Sequence, residues 1–362
     1  MVSRNVLQSN GKKEKKKPKI KINFEYFWEG FNLKDNLFTT LLKPYYDVEI
    51  SDSPDFVFFS VYSKENVPSR DISGYGNIIR SISPKFYIKL RKLYSKLFNK
   101  QSLPESKYKN AIKIFYSSEH NKPDMSKCDW AFSYAYEEEI KNSRYMRIPE
   151  YFWFGAGKNL VKPKNYADKI IKQKRKKFCN FIYTNEVDYR IDFLKKLSKY
   201  RKVDAPGRSM NNMPPLEKEG HRNLSAEEWT EHKLAFMKDY KFAVAFENYK
   251  ISGYTDEKLY HAMISGVIPI YYGNPEVEKD FNSRSFIYVN KFKNFNEAIK
   301  FIIKVDNDPE LYRKILSEPF YHSNAPNKYV DPERIVRRLK KIFGGYENET
   351  NTKSLSTRKN KN

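Results

Sequence analysis

The sequence predicts an α/β protein of two domains, each built on a mostly parallel sheet. Three observations carry that expectation. The chain has 362 residues, enough for two domains of ordinary size that each bury a core. Short apolar runs alternate with segments of helical periodicity along most of it, as strands and helices of a parallel sheet do. The segment from Phe242 to Gly273 (FAVAFENYKISGYTDEKLYHAMISGVIPIYYG) compresses strand, loop, helix and strand into one unit. Its polar residues fall at the carboxyl end of the first strand, where open α/β sheets bind ligands.

The elements follow in order. Residues 1–18 read as a flexible basic arm. Lys19 to Trp28 and Asp47 to Tyr62 alternate or run apolar as strands do. Phe86 to Lys100 (FYIKLRKLYSKLFNK) places Leu90, Leu93, Leu97 and Phe98 on one helical side, with lysines and Arg91 over much of the rest. Ala111 to Glu119 is a strand ending in polar residues, and Trp130 to Tyr136 is the next. Residues 19–158 therefore form the first α/β domain. Lys158 to Lys177 is polar and basic, contains Pro163, and reads as a linker. The second domain spans 159–345. It opens with a strand over Phe178 to Thr184, a helix over Tyr189 to Tyr200, and a short strand over Lys202 to Ala205 before the Pro206–Gly207 turn. Ser225 with Glu228 forms a capping box for a helix running to about Tyr240. Further helices lie near Asn294 to Ile303, Pro309 to Leu316 and Pro332 to Phe343. Residues 346–362 are a polar, basic tail.

The chemistry of the Phe242–Gly273 unit reads as an anion site with a sugar clamp. Asp256 caps a helix whose free N–H groups attract anions. Lys258 stands in the first turn, the wrong end of a helix for a cation unless it reaches a phosphate. Glu257 can accept two hydrogen bonds from a ribose diol. Asn248 both donates and accepts, and Tyr254 offers a ring and a hydroxyl. Spacing alone equally allows a solvated helix start. Asp306–Asn307–Asp308 has the form of a metal-binding pair, but Pro309 follows it directly, so Asp308 reads as the N-cap of a helix with proline first. Asp52 and Asp55 flank Ser53–Pro54 and read as a turn. No nucleophile elbow is present, and two cysteines with scattered histidines make no zinc site.

The same stretch resembles the α1,3-fucosyltransferases, inverting enzymes that use GDP-fucose. The residues that carry the likeness are Phe242, Phe246–Glu247–Asn248, Tyr254, Glu257–Lys258–Leu259, Gly266, Ile268–Pro269–Ile270 and Gly273. The family usually has Thr just before Glu-Lys. Asp256 stands there instead, an equally good cap whose charge beside a pyrophosphate implies weaker donor binding. The likeness is strong over about residues 181–290 and patchy over 20–155. It implies the GT-B architecture, two Rossmann-like α/β domains facing a cleft, and transfer of fucose to the 3-OH of an N-acetylglucosamine-containing glycan, with the 4-OH as a variant. It also implies roles. Arg190, behind the Thr184–Asn185–Glu186 loop, matches the arginine that contacts the diphosphate. Glu119 in Tyr116–Ser117–Ser118–Glu119–His120 matches the presumed base, with His120 as rival on the opposite strand face. Arg190, Asn248, Tyr254, Glu257 and Lys258 then bind the donor, with Asn185 and Glu247 as further candidates. No tightly bound cofactor and no metal is required, a divalent ion at most stimulating.

Composition bounds the rest. The net charge is +24, and aromatic residues make up 16% of the chain. Eight basic residues against Glu14 fall between Met1 and Lys21. A nucleic-acid module should also show its own motif or interleaved stacking residues, and none is found. The basic helix near 86–100 suits either an anionic membrane surface or a surface position on its own domain. No apolar run approaches the roughly 20 residues of a membrane span. No secretory signal is recognisable, and two cysteines suit a reducing compartment. A cytoplasmic protein is expected, with peripheral attachment to the membrane's cytoplasmic face as a variant. Two other readings stay open: a transferase of the same architecture using another nucleotide sugar, and a non-catalytic protein binding polyanions or membranes.

Overall fold

The computed structural model describes residues 17–28, 30–62, 107–216 and 226–344. The basic segment 86–100, nearly all of the N-terminal arm, the C-terminal tail and Ser225 lie outside the described residues. The chain divides into two compact units. Among the described residues the first contains 17–133, 137–147 and 332–344, and the second contains 134–136 and 148–331.

The first unit is built on strands β1 (Lys19–Glu25), β2 (Asp47–Ile50), β3 (Phe56–Phe59), β4 (Ile112–Ser117), β5 (Trp130–Ser133) and β6 (Tyr145–Arg147). They pair in parallel, in the order β2-β1-β3-β4-β5-β6. The run Asp47 to Tyr62 is thus two strands that flank β1 on either side, separated by the bend holding Asp52 and Asp55. β3 (FVFF) is buried along its whole length, as a central parallel strand should be. Helix α1 (Leu37–Leu42) starts at Asn36 with reciprocal side-chain caps to Thr39. It lays Phe38 against Phe58 at 4.5 Å between ring centres. β6 escapes a reading from periodicity because three residues are too short for one. Helix α2 (Glu137–Ile140) precedes it.

The second unit contains the whole segment read as a linker. α3 (Glu150–Trp153) is followed by α4 (Tyr166–Lys172), which buries Ala167 and Ile170. Lys162 is 7% exposed, and its ammonium donates to Leu316 O at 2.8 Å and Glu318 O at 2.5 Å. The polar, basic composition suggested solvent, but Leu160, Lys162, Ala167 and Ile170 turn inward. The sheet comprises β7 (Lys177–Asn180), β8 (Val203–Asp204), β9 (Tyr240–Phe246), β10 (Ile268–Tyr272) and β11 (Ile287–Tyr288), parallel and ordered β11-β10-β9-β7-β8. Helices α5 (Asp188–Leu197), α6 (Ala226–Met237), α7 (Glu257–Ile264), α8 (Phe295–Asn307) and α9 (Pro309–Ser317) complete it. α7 ends where Gly266 takes φ +71°, the left-handed turn that closes helices. A core of Phe181, Phe193, Phe242, Phe246, Ile268 and Ile302 holds the layers together.

The final helix, α10 over residues 332–344, was expected in the second domain. It groups with the first unit because its contacts are there. Phe343 meets Phe56 edge-on at 4.3 Å, and Lys340 lies 3.5 Å from the Tyr45 ring centre. Arg334 Nη1 donates to Arg147 O at 3.0 Å. No helix among the described residues is long and apolar enough to cross a membrane.

Candidate functional site

Strand order in the second sheet reverses between β7 and β9, which makes a crevice at their carboxyl ends. A cavity of about 530 Å³ opens there. Thr184, Asn185 and Arg190 reach it from the loop and helix after β7, Asn248 from the end of β9, and Glu257 and Lys258 from the first turn of α7. The structure therefore brings five predicted residues to one cavity: Asn185, Arg190, Asn248, Glu257 and Lys258. Gly207 lets the loop after β8 lie against the chain that follows β7, since a Cβ there would overlap the Tyr183 carbonyl.

Arg190 is buried, with 1% exposure. Its guanidinium stacks 4.1 Å from the Tyr183 ring centre and donates through Nη2 to Phe246 O at 2.5 Å. Its buried Nε has no hydrogen-bond partner. A planar cation fixed on two sides, with a donor to spare, suits a bidentate anion. Tyr183 is itself locked in place, donating to Val244 O at 2.9 Å and accepting from Phe246 N at 2.6 Å. Pairing of Arg190 with Glu186 or Asp188, the ordinary alternative, is not what holds it.

The α7 end is a network of buried charge. Asp256 Oδ1 accepts the Lys258 N–H at 3.0 Å and so caps the helix. Asp256 Oδ2 pairs with the Lys258 ammonium. Lys258 lies 3.7 Å from Glu257 Oε2, and Lys233 lies 3.5 Å from Glu257 Oε1. Burial alone would push the Lys258 ammonium down, but the carboxylates of Asp256 and Glu257 outweigh it and hold Lys258 charged. Burial would likewise raise Glu257, yet Lys258 and Lys233 keep it far below the usual carboxylate range. Glu247 goes the other way. Burial, then the charge of Asp256, raises its carboxyl well above that range. His261, one turn along α7, is pushed down to about 3 by burial and then by Lys233, and neither ring nitrogen has a partner.

Three expectations are corrected. Tyr254 does not line the cavity. It is buried and meets the Tyr134 ring edge-on at 5.6 Å, because Gly253, at φ +79°, turns the loop inward. Glu247 is a support, fully buried, whose Oε1 accepts the Asp256 N–H at 3.2 Å. The strand alternation used to separate Glu119 from His120 does not apply, because β4 ends at Ser117 and both residues sit in a bend. There Glu119 Oε1 accepts the Tyr62 hydroxyl at 3.0 Å, and His120 is exposed. Asp308 caps α9, accepting from Leu311 N at 2.9 Å, as the Pro309 spacing predicts. Asp306 is engaged by Arg201 at 2.8 Å, by Lys241 and by Tyr200.

Several lining residues went unread in the sequence. Trp229 and Lys233 come from α6, and Arg208, Asn211 and Pro215 from the loop after β8. Lys233 is 8% exposed on the helix leading into β9, and no pattern in the sequence marks such a lysine before its burial is known.

The family model described as glycosyltransferase family 10 (fucosyltransferase) C-term matches residues 171–318, and the FucT N-terminal domain model matches 22–73 and 73–154. A putative fucosyltransferase, R654, of Acanthamoeba polyphaga mimivirus is 33% identical over 203 residues, 55% of this chain and 33% of that protein. The α-(1,3)-fucosyltransferase FucT of Helicobacter pylori is 29% identical over 231 residues, 58% of this chain and 48% of that protein. The chain thus spans less than half the length of these relatives. A crystal structure of an α1,3-fucosyltransferase with GDP-fucose superposes with a TM-score of 0.63 at 22% identity, covering 92% of this chain and 93% of that one. At that identity the likeness speaks for the fold, which is GT-B.

Proposed function

Because this chain belongs to glycosyltransferase family 10, the fucosyltransferases, we propose that it is an inverting α1,3-fucosyltransferase using GDP-fucose. The observation that carries the reading is the joint presence of Arg190 and Lys258 in the wall of one cavity at the strand-order reversal. Two cations and the N-terminus of α7 suit a diphosphate, and Glu257, held by Lys258 and Lys233, suits a ribose diol.

The acceptor is the 3-OH of an N-acetylglucosamine-containing glycan. In the reaction, the acceptor oxygen forms a bond to C1 of fucose as the C1–O bond to the diphosphate breaks. The electron pair leaves on the diphosphate, where Arg190, Lys258 and the α7 N–H groups stabilise it. The acceptor proton passes to Glu119, and the anomeric centre inverts. Asn248 and Asn185 orient the donor. These cations and N–H groups take the leaving-group charge without calling on a metal ion. The +24 net charge suits peripheral attachment to an anionic membrane on the cytoplasmic side. Incubation with GDP-fucose, GDP-mannose and UDP-sugars over a panel of glycans, with linkage analysis of the product, tests the reading. An α1,3-linked fucosyl product from GDP-fucose alone is expected. Transfer from another nucleotide sugar overturns the donor, and salt-sensitive lipid binding without transfer overturns catalysis.

A further inference from the structure

Lys258 already has a counter-ion without any ligand. Its ammonium pairs with Asp256 Oδ2, and in that pair the Asp256 side chain is 3% exposed and the Lys258 side chain 16%. Lys258 belongs to the cavity wall and Asp256 does not. The carboxylate therefore holds the cation from behind, while the diphosphate would approach from the cavity.

Asp256 does two separable things. Oδ1 caps α7 by accepting the Lys258 N–H at 3.0 Å, which a neutral Thr or Asn does as well. Oδ2 binds the ammonium, which they do not do. A helix cap alone does not call for the second function, and the charge it adds lies beside a site otherwise rich in cations: Lys258, Lys233 and Arg190.

We propose that Asp256 withholds part of the Lys258 charge from the diphosphate and thereby favours release of the GDP product over retention of the donor. The inference rests on reading Lys258 as a diphosphate ligand. GDP ends in a phosphate monoester with a second pKa near 6, so at neutral pH it carries roughly one more negative charge than the nucleotide sugar. A carboxylate behind the ligating lysine repels the more charged species more strongly. The residue thus sets the balance between gripping the substrate and clearing the product, a balance that limits turnover in many transferases.

Calorimetric titration of GDP and of GDP-fucose into the full chain tests this, using Asp256→Asn, Asp256→Thr, Lys258→Ala and the Asp256→Asn/Lys258→Ala pair. Both single Asp256 variants keep a capping oxygen, so a folding defect in one leaves the other to decide. The expected result is GDP binding tighter by about tenfold, with a smaller gain for GDP-fucose. The gain shrinks with salt and vanishes in the double variant. If Lys258→Ala weakens GDP but neither Asp256 variant tightens it, or both ligands gain equally, the inference is overturned and the Lys258 role stands. If Lys258→Ala leaves GDP affinity unchanged, the Lys258 role falls and the inference falls with it.

Discussion

The two sheets share a topology and differ in what they place at the point where strand order reverses. In the second unit, the β7/β9 crevice is lined by charge, with Arg190, Lys233 and Lys258 against Glu257, and Asp256 pairs with Lys258 from outside the wall. In the first unit, the loops after β1 and β3 carry aromatic rings. Phe27 stacks on Phe31 at 4.2 Å, Trp28 meets Phe31 edge-on at 4.9 Å, and Tyr62 lies 6.1 Å from Trp28. Tyr62 in turn holds Glu119. Parallel sheets expose the same strand ends either way, so the fold supplies the location and the side chains decide the ligand. A network of paired, buried charge suits a diphosphate. Rings beside a carboxylate suit a neutral sugar that must lose a proton.

The sharpest way to break this contrast is Glu119→Gln. If Glu119 is the base, turnover should fall by about 10²- to 10⁴-fold while calorimetric GDP affinity is unchanged. A wild-type rate would end the assignment. Next in size is Phe343→Ala. It should cost the first unit about 3–5 kcal/mol by removing a ring packed on Phe56 and Tyr46, read as a fall in the denaturation midpoint. A loss below about 1 kcal/mol would show that α10 is dispensable to that core.

Smaller effects sharpen the charged side. Folded Glu247 keeps its proton well above the usual carboxylate range, through burial and then Asp256. As pH rises from about 4.5, the unfolded chain releases that proton and the folded chain does not, so stability falls with pH by up to about 1.4 kcal/mol per unit. Glu247→Gln should flatten that slope in denaturant titrations run between pH 5 and 8. His261 acts at the other end. Burial pushes it down to about 3, so as pH falls below about 6.5 the unfolded chain gains a proton that the folded chain refuses. His261→Leu should remove this acid sensitivity and, with both ring nitrogens unpartnered, cost little at neutral pH. An acid limb identical to the wild type would contradict it.

The cavity lining of the second unit was partly legible because several of its residues lie close together in sequence. Asn248, Glu257 and Lys258 sit on one strand–helix unit, and local cap and strand signals are enough to bring them to one end. Arg190 needed a resemblance, since nothing local says that it will stack on Tyr183. What failed was whatever depends on distant packing. Tyr254 turns inward on a glycine with φ +79° and a tyrosine 120 positions earlier, Tyr134. Lys162 looks like a linker residue until the carbonyls of Leu316 and Glu318 are beside it. Strand ends and short strands such as β6 give too few residues for a period to register.

The position of α10 has a consequence for how the protein is made. Residues 332–344 group with a sheet whose strands are all translated earlier, and the whole of β7 to β11 lies between. On the ribosome, all strands of the second unit are made before α10 is. The earlier sheet meanwhile waits with Tyr46 and Phe56 lacking the Phe343 ring that covers them in the folded protein. No continuous fragment carries the first unit entire, so a clone ending before residue 332 leaves that sheet with an apolar face open to aggregation.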